Sequence, residues 1–104
     1  MEEANHATLS FACDFDERTA WEVRQKGWFE QAIVHLPDGN KVPVCFWDPG
    51  RLSQDLETDL KLGKTCISEP GMIVIPEVTA ENMKAAVEEL YHRGYFNQLR
   101  SLFQ

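Results

Sequence analysis

Cysteine and histidine, the residues that most often bind metals or act as nucleophile and base, are few in this chain and lie far apart. The three residues of each type stand singly, at Cys13, Cys45, Cys66, His6, His35 and His92. A zinc site is normally built from closely spaced pairs of such ligands. We therefore predict no metal site and no cofactor, and we expect the cysteines to pack as small apolar side chains.

One Cys–His combination falls within a single predicted element, the hairpin that contains His35 and Cys45. The face assignment given below points the two side chains in opposite directions, so they are not expected to form a nucleophile–base pair. The chain also has no glycine-rich phosphate loop and no serine between close glycines. No catalytic residue is assigned, and the sequence favours a non-enzyme while leaving the question open.

Three polar residues near the ends of predicted strands are candidates for a ligand pocket: Asp48, Arg51 and Glu69. Catalysis by carboxylates needs two acids in one cleft with separated pKa values. Asp48 is well placed to cap a helix, and Glu69 precedes a Pro-Gly turn, so both have structural roles without catalysis. A small enzyme or small-molecule-binding domain, with a pocket between sheet and helices, is the alternative interpretation.

The composition indicates a folded, acidic chain. It has 104 residues, of which 43% are hydrophobic, and this length suits one domain spanning 1–104. Ten basic residues against seventeen acidic ones give a net charge of −7, which disfavours nucleic acids and anionic membranes as partners. An odd number of cysteines and an acidic N-terminus without a long apolar stretch predict a cytoplasmic location.

Alternating apolar residues predict strands in the first half of the chain. Residues 7–15 alternate clearly, and residues 19–23 alternate too, so the segment 18–26 before Gly27 is predicted as strand, with helix as the alternative. Residues 29–36 and 41–47 flank Pro37-Asp38-Gly39-Asn40 and predict a β-hairpin.

A two-residue turn, centred on either Asp38-Gly39 or Gly39-Asn40, predicts that even-numbered residues before it share a face with odd-numbered residues after it. Both faces of the hairpin are then apolar, one with Ala32, Val34, Leu36, Cys45 and Trp47, the other with Ile33, Val42, Val44 and Phe46. One helical layer cannot cover both faces. We therefore expect either helices on both sides or a partner on one.

Two amphipathic helices are predicted in the second half. Asp48 begins the first, over about 49–62, with an apolar stripe of three leucines: Leu52, Leu56 and Leu60. Thr79 begins the second, over about 80–93. Between them, the apolar run 72–75 predicts a strand buried on both faces at the centre of the sheet. Residues 97–103 could form a short terminal helix.

Pro43 cannot donate to a strand ladder, which predicts that its strand lies at an edge or a bulge. Together, the elements predict an α+β fold with a mostly antiparallel sheet of four or five strands. Two amphipathic helices are expected to pack on this sheet in a single domain.

The favoured functional interpretation is a non-catalytic protein-interaction module, either an inhibitor or immunity-type binder of a basic protein or a homodimer. It rests on the negative charge, the two-faced hairpin and the missing catalytic groups. Aromatic residues are enriched at interface centres. The predicted binding residues combine aromatic and charged side chains: Trp28, Phe46, Trp47, Asp48, Arg51 and Glu69.

Overall fold

The computed structural model of this chain describes residues 6–97. In chain order these form β1 (Thr8–Phe11), α1 (Glu17–Lys26), β2 (Trp28–His35), β3 (Lys41–Trp47), α2 (Pro49–Lys61), β4 (Met72–Val74) and α3 (Ala80–His92). One four-stranded sheet carries helices packed on it, so the predicted α+β class is confirmed. The helix predicted over 97–103 lies, apart from its first residue, outside the described residues.

The sheet has the strand order β1-β2-β3-β4. The pairs β1–β2 and β2–β3 are antiparallel, and β4 runs parallel to β3. The prediction that residues 72–75 form the central strand is wrong, because β4 lies at an edge of the sheet. Ile73 and Ile75 enter the core, whereas the side chain of Val74 is 48% exposed.

Pro43 stands in β3, a strand with a neighbour on each side. The N–H of Cys45 donates to the carbonyl of Gly71 (3.0 Å). Main-chain groups two residues apart in a strand point to the same side, so the nitrogen of Pro43 also points toward the β4 side. Because β4 begins only at Met72, opposite Cys45, β4 has no residue that pairs with Pro43. The prediction that the strand of Pro43 lies at an edge or a bulge is nevertheless wrong, because β3 is an inner strand and the bulge lies in β2.

The strand predicted within 18–26 is wrong, because this segment forms α1. Asp16 caps the helix by accepting a hydrogen bond from the N–H three residues later (2.8 Å), and Gly27 ends it with φ +73°. Only Val23 of α1 is buried. Trp21, which contributed to the alternating pattern, points to solvent with 63% of its surface exposed.

The loop of the hairpin contains three residues, Pro37, Asp38 and Gly39, rather than two. The N–H of Leu36 donates to the carbonyl of Asn40 (2.9 Å), and the N–H of Gly39 donates back to the carbonyl of Leu36 (3.0 Å). Gly39 has φ +93°, which fits a tight turn followed by a left-handed glycine. With a three-residue loop, even-numbered residues of β2 lie opposite even-numbered residues of β3 and share a face of the sheet with them. The predicted face assignment, which paired even with odd numbers, is therefore wrong.

A bulge in β2 changes the register again. Phe29 lies opposite Phe46, but Ala32 lies opposite Val44, so that two residues of β2 lie against one of β3. The extra residue returns Phe29 to the same face as Ala32. One face of the hairpin therefore collects all of its most deeply buried aliphatic and phenylalanine side chains: Phe29, Ala32, Val34, Leu36, Val42, Val44 and Phe46.

This inner face forms the core with α1, α3 and the residues that follow α3. The helices contribute Val23, Met83 and Val87, and Phe96 packs in from beyond the end of α3. The opposite, outer face is partly exposed to solvent: Lys41 and Pro43 are exposed, and Ile33 and Cys45 are half-buried. The hairpin is therefore not apolar on both faces, and the argument for a partner that started from that prediction no longer holds.

The junction between α1 and β2 approaches the start of α2 closely. Asp48 caps α2 by accepting a hydrogen bond from the N–H of Arg51 (2.7 Å), and its own N–H donates to the carbonyl of Gly27 (2.9 Å). A Cβ on Gly27 would lie 2.5 Å from the nearer carboxylate oxygen of Asp48. Only glycine fits here, for reasons of both φ and space.

We expect Gly27→Ala to lower the free energy of unfolding by about 2–3 kcal/mol, combining left-handed strain with loss of the Asp48 cap. Gly63→Ala is the matched control, because Gly63 has φ +90° and an added Cβ would meet nothing within 4 Å. The control should cost about 1–2 kcal/mol from strain alone. Urea denaturation measures both; equal losses would mean that the Asp48 contact contributes nothing.

Candidate protein-binding surface

Four of the six predicted binding residues lie together at one end of the sheet. There α1 ends, β2 begins with Trp28, β3 ends with Trp47, and α2 begins after Asp48 with Arg51 in its first turn. The two tryptophans are paired across β2 and β3, with ring centroids 6.3 Å apart. We call this group the junction cluster.

Arg51 is the centre of the junction cluster. Its guanidinium carbon lies 5.5 Å from the ring centroid of Trp28, a cation–π distance. Its Nη1 donates to the carbonyl of Lys26 at the end of α1 (3.2 Å). One side chain thus connects α2 to the last turn of α1 and to the first residue of β2.

Asp55, which the sequence interpretation missed, completes this cluster. It accepts a hydrogen bond from Trp47 Nε1 (3.0 Å) and an ion-paired hydrogen bond from Arg51 Nε (3.0 Å). The side chains of Arg51 and Asp55 are only about one-third exposed. The i, i+4 spacing of these two residues on a predicted helix was the available signal. Through these hydrogen bonds the junction cluster attaches α2 to the sheet.

Phe46 and Glu69 do not join the junction cluster. Phe46 lies fully buried on the inner face, opposite Phe29. Glu69 lies in the turn before β4, where its charge acts on Cys45. Partial burial, followed by the charges of Glu69 and Glu30, raises the pKa of the Cys45 thiol to about 11. Cys45 is therefore a poor nucleophile at neutral pH.

Most of the apolar stripe of α2 is exposed to solvent. The stripe consists of Leu52, Leu56 and Leu60, and no residue of α2 is buried. Leu60 is 53% exposed, and Leu62, just after the helix, is 71% exposed. The helix contacts the rest of the molecule through the polar edge formed by Arg51 and Asp55, which lies beside the stripe. The helix is therefore amphipathic, as predicted, but two of its three stripe leucines, Leu56 and Leu60, lie exposed.

A second contact that the sequence interpretation missed joins Ser10 and His35 on the outer face. The serine Oγ lies 2.7 Å from the histidine Nε2, a distance that suits a nucleophile and its base. Neither residue lines any of the four depressions described below. Acyl transfer would need, beside this contact, a cleft for the substrate and a third group that orients the base.

The depressions on the surface of the described residues include four with volumes between about 140 and 560 Å³. None of the four is lined by Asp48, Arg51 or Glu69. The space between sheet and helices, where the alternative interpretation placed a pocket, is filled by core side chains such as Phe46 and Met83.

Two further findings concern residues 6–97 alone. Within this range no three His, Cys, Asp or Glu side chains are grouped so that they could hold a metal ion. None of the helices there combines the length and the apolar character needed to cross a membrane.

Comparison of the chain with protein-family models, with curated proteins and with solved structures finds no match. The most unusual feature of the molecule is the exposed leucine stripe beside the junction cluster.

We expect Asp55→Asn to lower the free energy of unfolding by about 1–2 kcal/mol, because it removes the negative charge that strengthens the hydrogen bonds from Trp47 and Arg51. Solvent partly screens this charge, which limits the loss. Glu57→Gln, the same change at an exposed site on the same helix, should stay within about 0.5 kcal/mol. Thermal and urea unfolding measure both. Combining Asp55→Asn with Trp47→Phe should cost less than the sum of the two; strict additivity would contradict the bond.

We expect iodoacetamide to modify Cys45 at least tenfold more slowly than the exposed Cys66 at pH 8. With a pKa of about 11, about one Cys45 thiol in 1,000 is ionised at that pH. Glu69→Gln should speed the reaction, because it removes a negative charge that opposes the thiolate. Peptide mapping by mass spectrometry gives both rates, and equal rates at the two cysteines would count against this environment.

Proposed function

We propose that this chain is a non-catalytic protein-interaction module that binds a basic protein through the leucine stripe of α2. One observation carries the proposal: α2 is amphipathic, yet none of its residues is buried. An amphipathic helix normally buries its apolar stripe against the core of its own molecule. Here the junction cluster turns the polar edge of the helix inward and leaves the leucines to another surface.

The amount of exposed leucine supports an interface. Leu56 and Leu60 are exposed one turn apart on the same side of α2, and Leu62, just beyond the helix, is exposed as well. Single exposed apolar residues are common, but neighbouring ones on one helix face are typical of a surface that binds another protein. A groove or helix of a partner, with its own apolar side chains, would fit such a row.

The charge of the chain favours a partner of opposite sign. The net charge is −7, so a basic protein would be attracted over long range and at a rate that falls with added salt. A second copy carries the same charge and is repelled. A two-fold antiparallel pairing of α2 about Leu56 would also bring the two Glu57 side chains to the same side of the contact.

An inhibitor or immunity-type role follows from the same features, since such a protein works by covering a surface of its target. The three cysteines are free, which supports the cytoplasm as the compartment of action. The alternative, a small enzyme, has the Ser10–His35 contact in its favour. It lacks a cleft at that contact and is the weaker candidate.

The probe for the leucine stripe is a synthetic amphipathic helix built from leucine and lysine. We expect Leu60→Asp to weaken its binding at least tenfold, although the added negative charge should by itself attract the lysines. Thr58→Asp, with the same charge change at another exposed position of α2, should bind as tightly as the unchanged chain. Isothermal titration calorimetry at about 50 and 300 mM NaCl separates the apolar from the electrostatic part.

Two results would count against the proposal. Equal binding by Leu60→Asp and Thr58→Asp would show that charge alone attracts the probe. A dimer in sedimentation experiments, split by Leu60→Asp, would show that a second copy covers the stripe. Both variants should unfold within about 0.5 kcal/mol of the unchanged chain, because both positions are exposed; a larger loss at Leu60 would indicate a role in folding.

A further inference from the structure

Among residues 6–97, no strand pairs with the edge of β4 that faces away from β3. Gly71 O accepts from Cys45 N, and Ile75 N donates to Trp47 O, so the odd-numbered residues direct their main chain toward β3. Because successive residues of a strand direct these groups to alternate sides, Met72 and Val74 direct theirs away from the sheet.

Few of these outward groups form hydrogen bonds within the part of the chain that the structure describes. The N–H of Met72 donates to the carbonyl of Glu69 in the preceding turn (3.2 Å). The carbonyl of Met72 and both main-chain groups of Val74 remain at the edge. A row of such groups is a template for pairing with another strand.

A groove runs beside this edge. It has a volume of about 350 Å³ and lies between β4 and α3. Val74 and Ile75 line it on the strand side, and Ala85, Ala86 and Leu90 line it on the helix side. The two alanines leave space above α3, so side chains of an added strand could point down onto the helix.

We propose that β4 and α3 form a second binding site, which takes an extended segment of another protein as a fifth strand of the sheet. Side chains at every second position of that segment would enter the groove over Ala85 and Leu90, which suits valine or isoleucine. The site is separate from the leucine stripe, because it consists of a strand edge and a different helix.

The charges around the groove define the segment further. Glu89 and Arg93 form an ion pair at the rim of the groove, so the rim itself is close to neutral. The net charge of −7 on the chain then favours basic residues at the outward-facing positions of the segment. The same charge opposes edge-to-edge pairing of two copies. With about three main-chain hydrogen bonds available, the contact is weak and short-lived.

The probe is the acetylated and amidated peptide Lys-Val-Lys-Val-Lys-Val-Lys, titrated into the ¹⁵N-labelled chain. We expect the amide signals of Val74, Ala85 and Ala86 to shift, with those of the leucine stripe unchanged. A peptide of the same sequence with alternate backbone nitrogens methylated keeps the charge and the valines but loses half of its donors and cannot pair on one side. It should bind at least tenfold more weakly.

The protein side is tested with Ala85→Arg, which fills the groove at an exposed helical position that tolerates arginine. We expect at least a tenfold loss of peptide affinity. Gln54→Arg, the same charge change on an exposed position of α2, should change affinity less than twofold. Both variants should keep the melting temperature.

Four outcomes would overturn this inference. They are no binding of the peptide at millimolar concentration, equal binding of the methylated peptide, equal losses for Ala85→Arg and Gln54→Arg, and shifts confined to α2. Shifts of the Val74 amide that depend on protein concentration alone would assign the edge to a second copy instead.

Discussion

The architecture depends on the register between β2 and β3. Two separate one-residue additions, the three-residue loop at Pro37–Gly39 and the bulge between Phe29 and Ala32, set which side chains face the core. Since the side-chain period of a strand is two, each addition exchanges the faces of everything beyond it. Together they place seven apolar residues of the hairpin on one face, where a single layer formed by α1 and α3 can cover them.

The outer face of the sheet and the helix α2 are more exposed to solvent than the inner face. The outer face carries exposed Lys41 and Pro43, and the Ser10–His35 hydrogen bond lies on it. α2 is attached at its first turns by a polar cluster in which Asp55 bonds to both Arg51 and Trp47. Attachment through polar side chains orients this helix without burying its leucines. The exposed stripe follows from how the helix is held.

Two surfaces of different character therefore remain open. The leucine stripe offers side chains alone, and its binding would depend on apolar contact. The edge of β4 offers main-chain groups, with Val74 48% exposed beside the groove above α3. The net charge of −7 acts on both in the same sense, since it attracts basic partners and opposes self-association.

Local patterns in the sequence were sufficient to predict the β2–β3 hairpin, the Asp48 and Thr79 caps, the two predicted helices and the α+β class, because each depends mainly on neighbours a few residues away. These patterns failed for 18–26, because a few alternating apolar residues occur both in strands and in a helix with one buried residue. The hairpin faces, the edge position of β4 and the exposure of the α2 leucines could be read only from the folded chain. Each of these depends on register or on contacts between residues far apart in the sequence, such as Arg51 with Lys26, which local patterns do not encode.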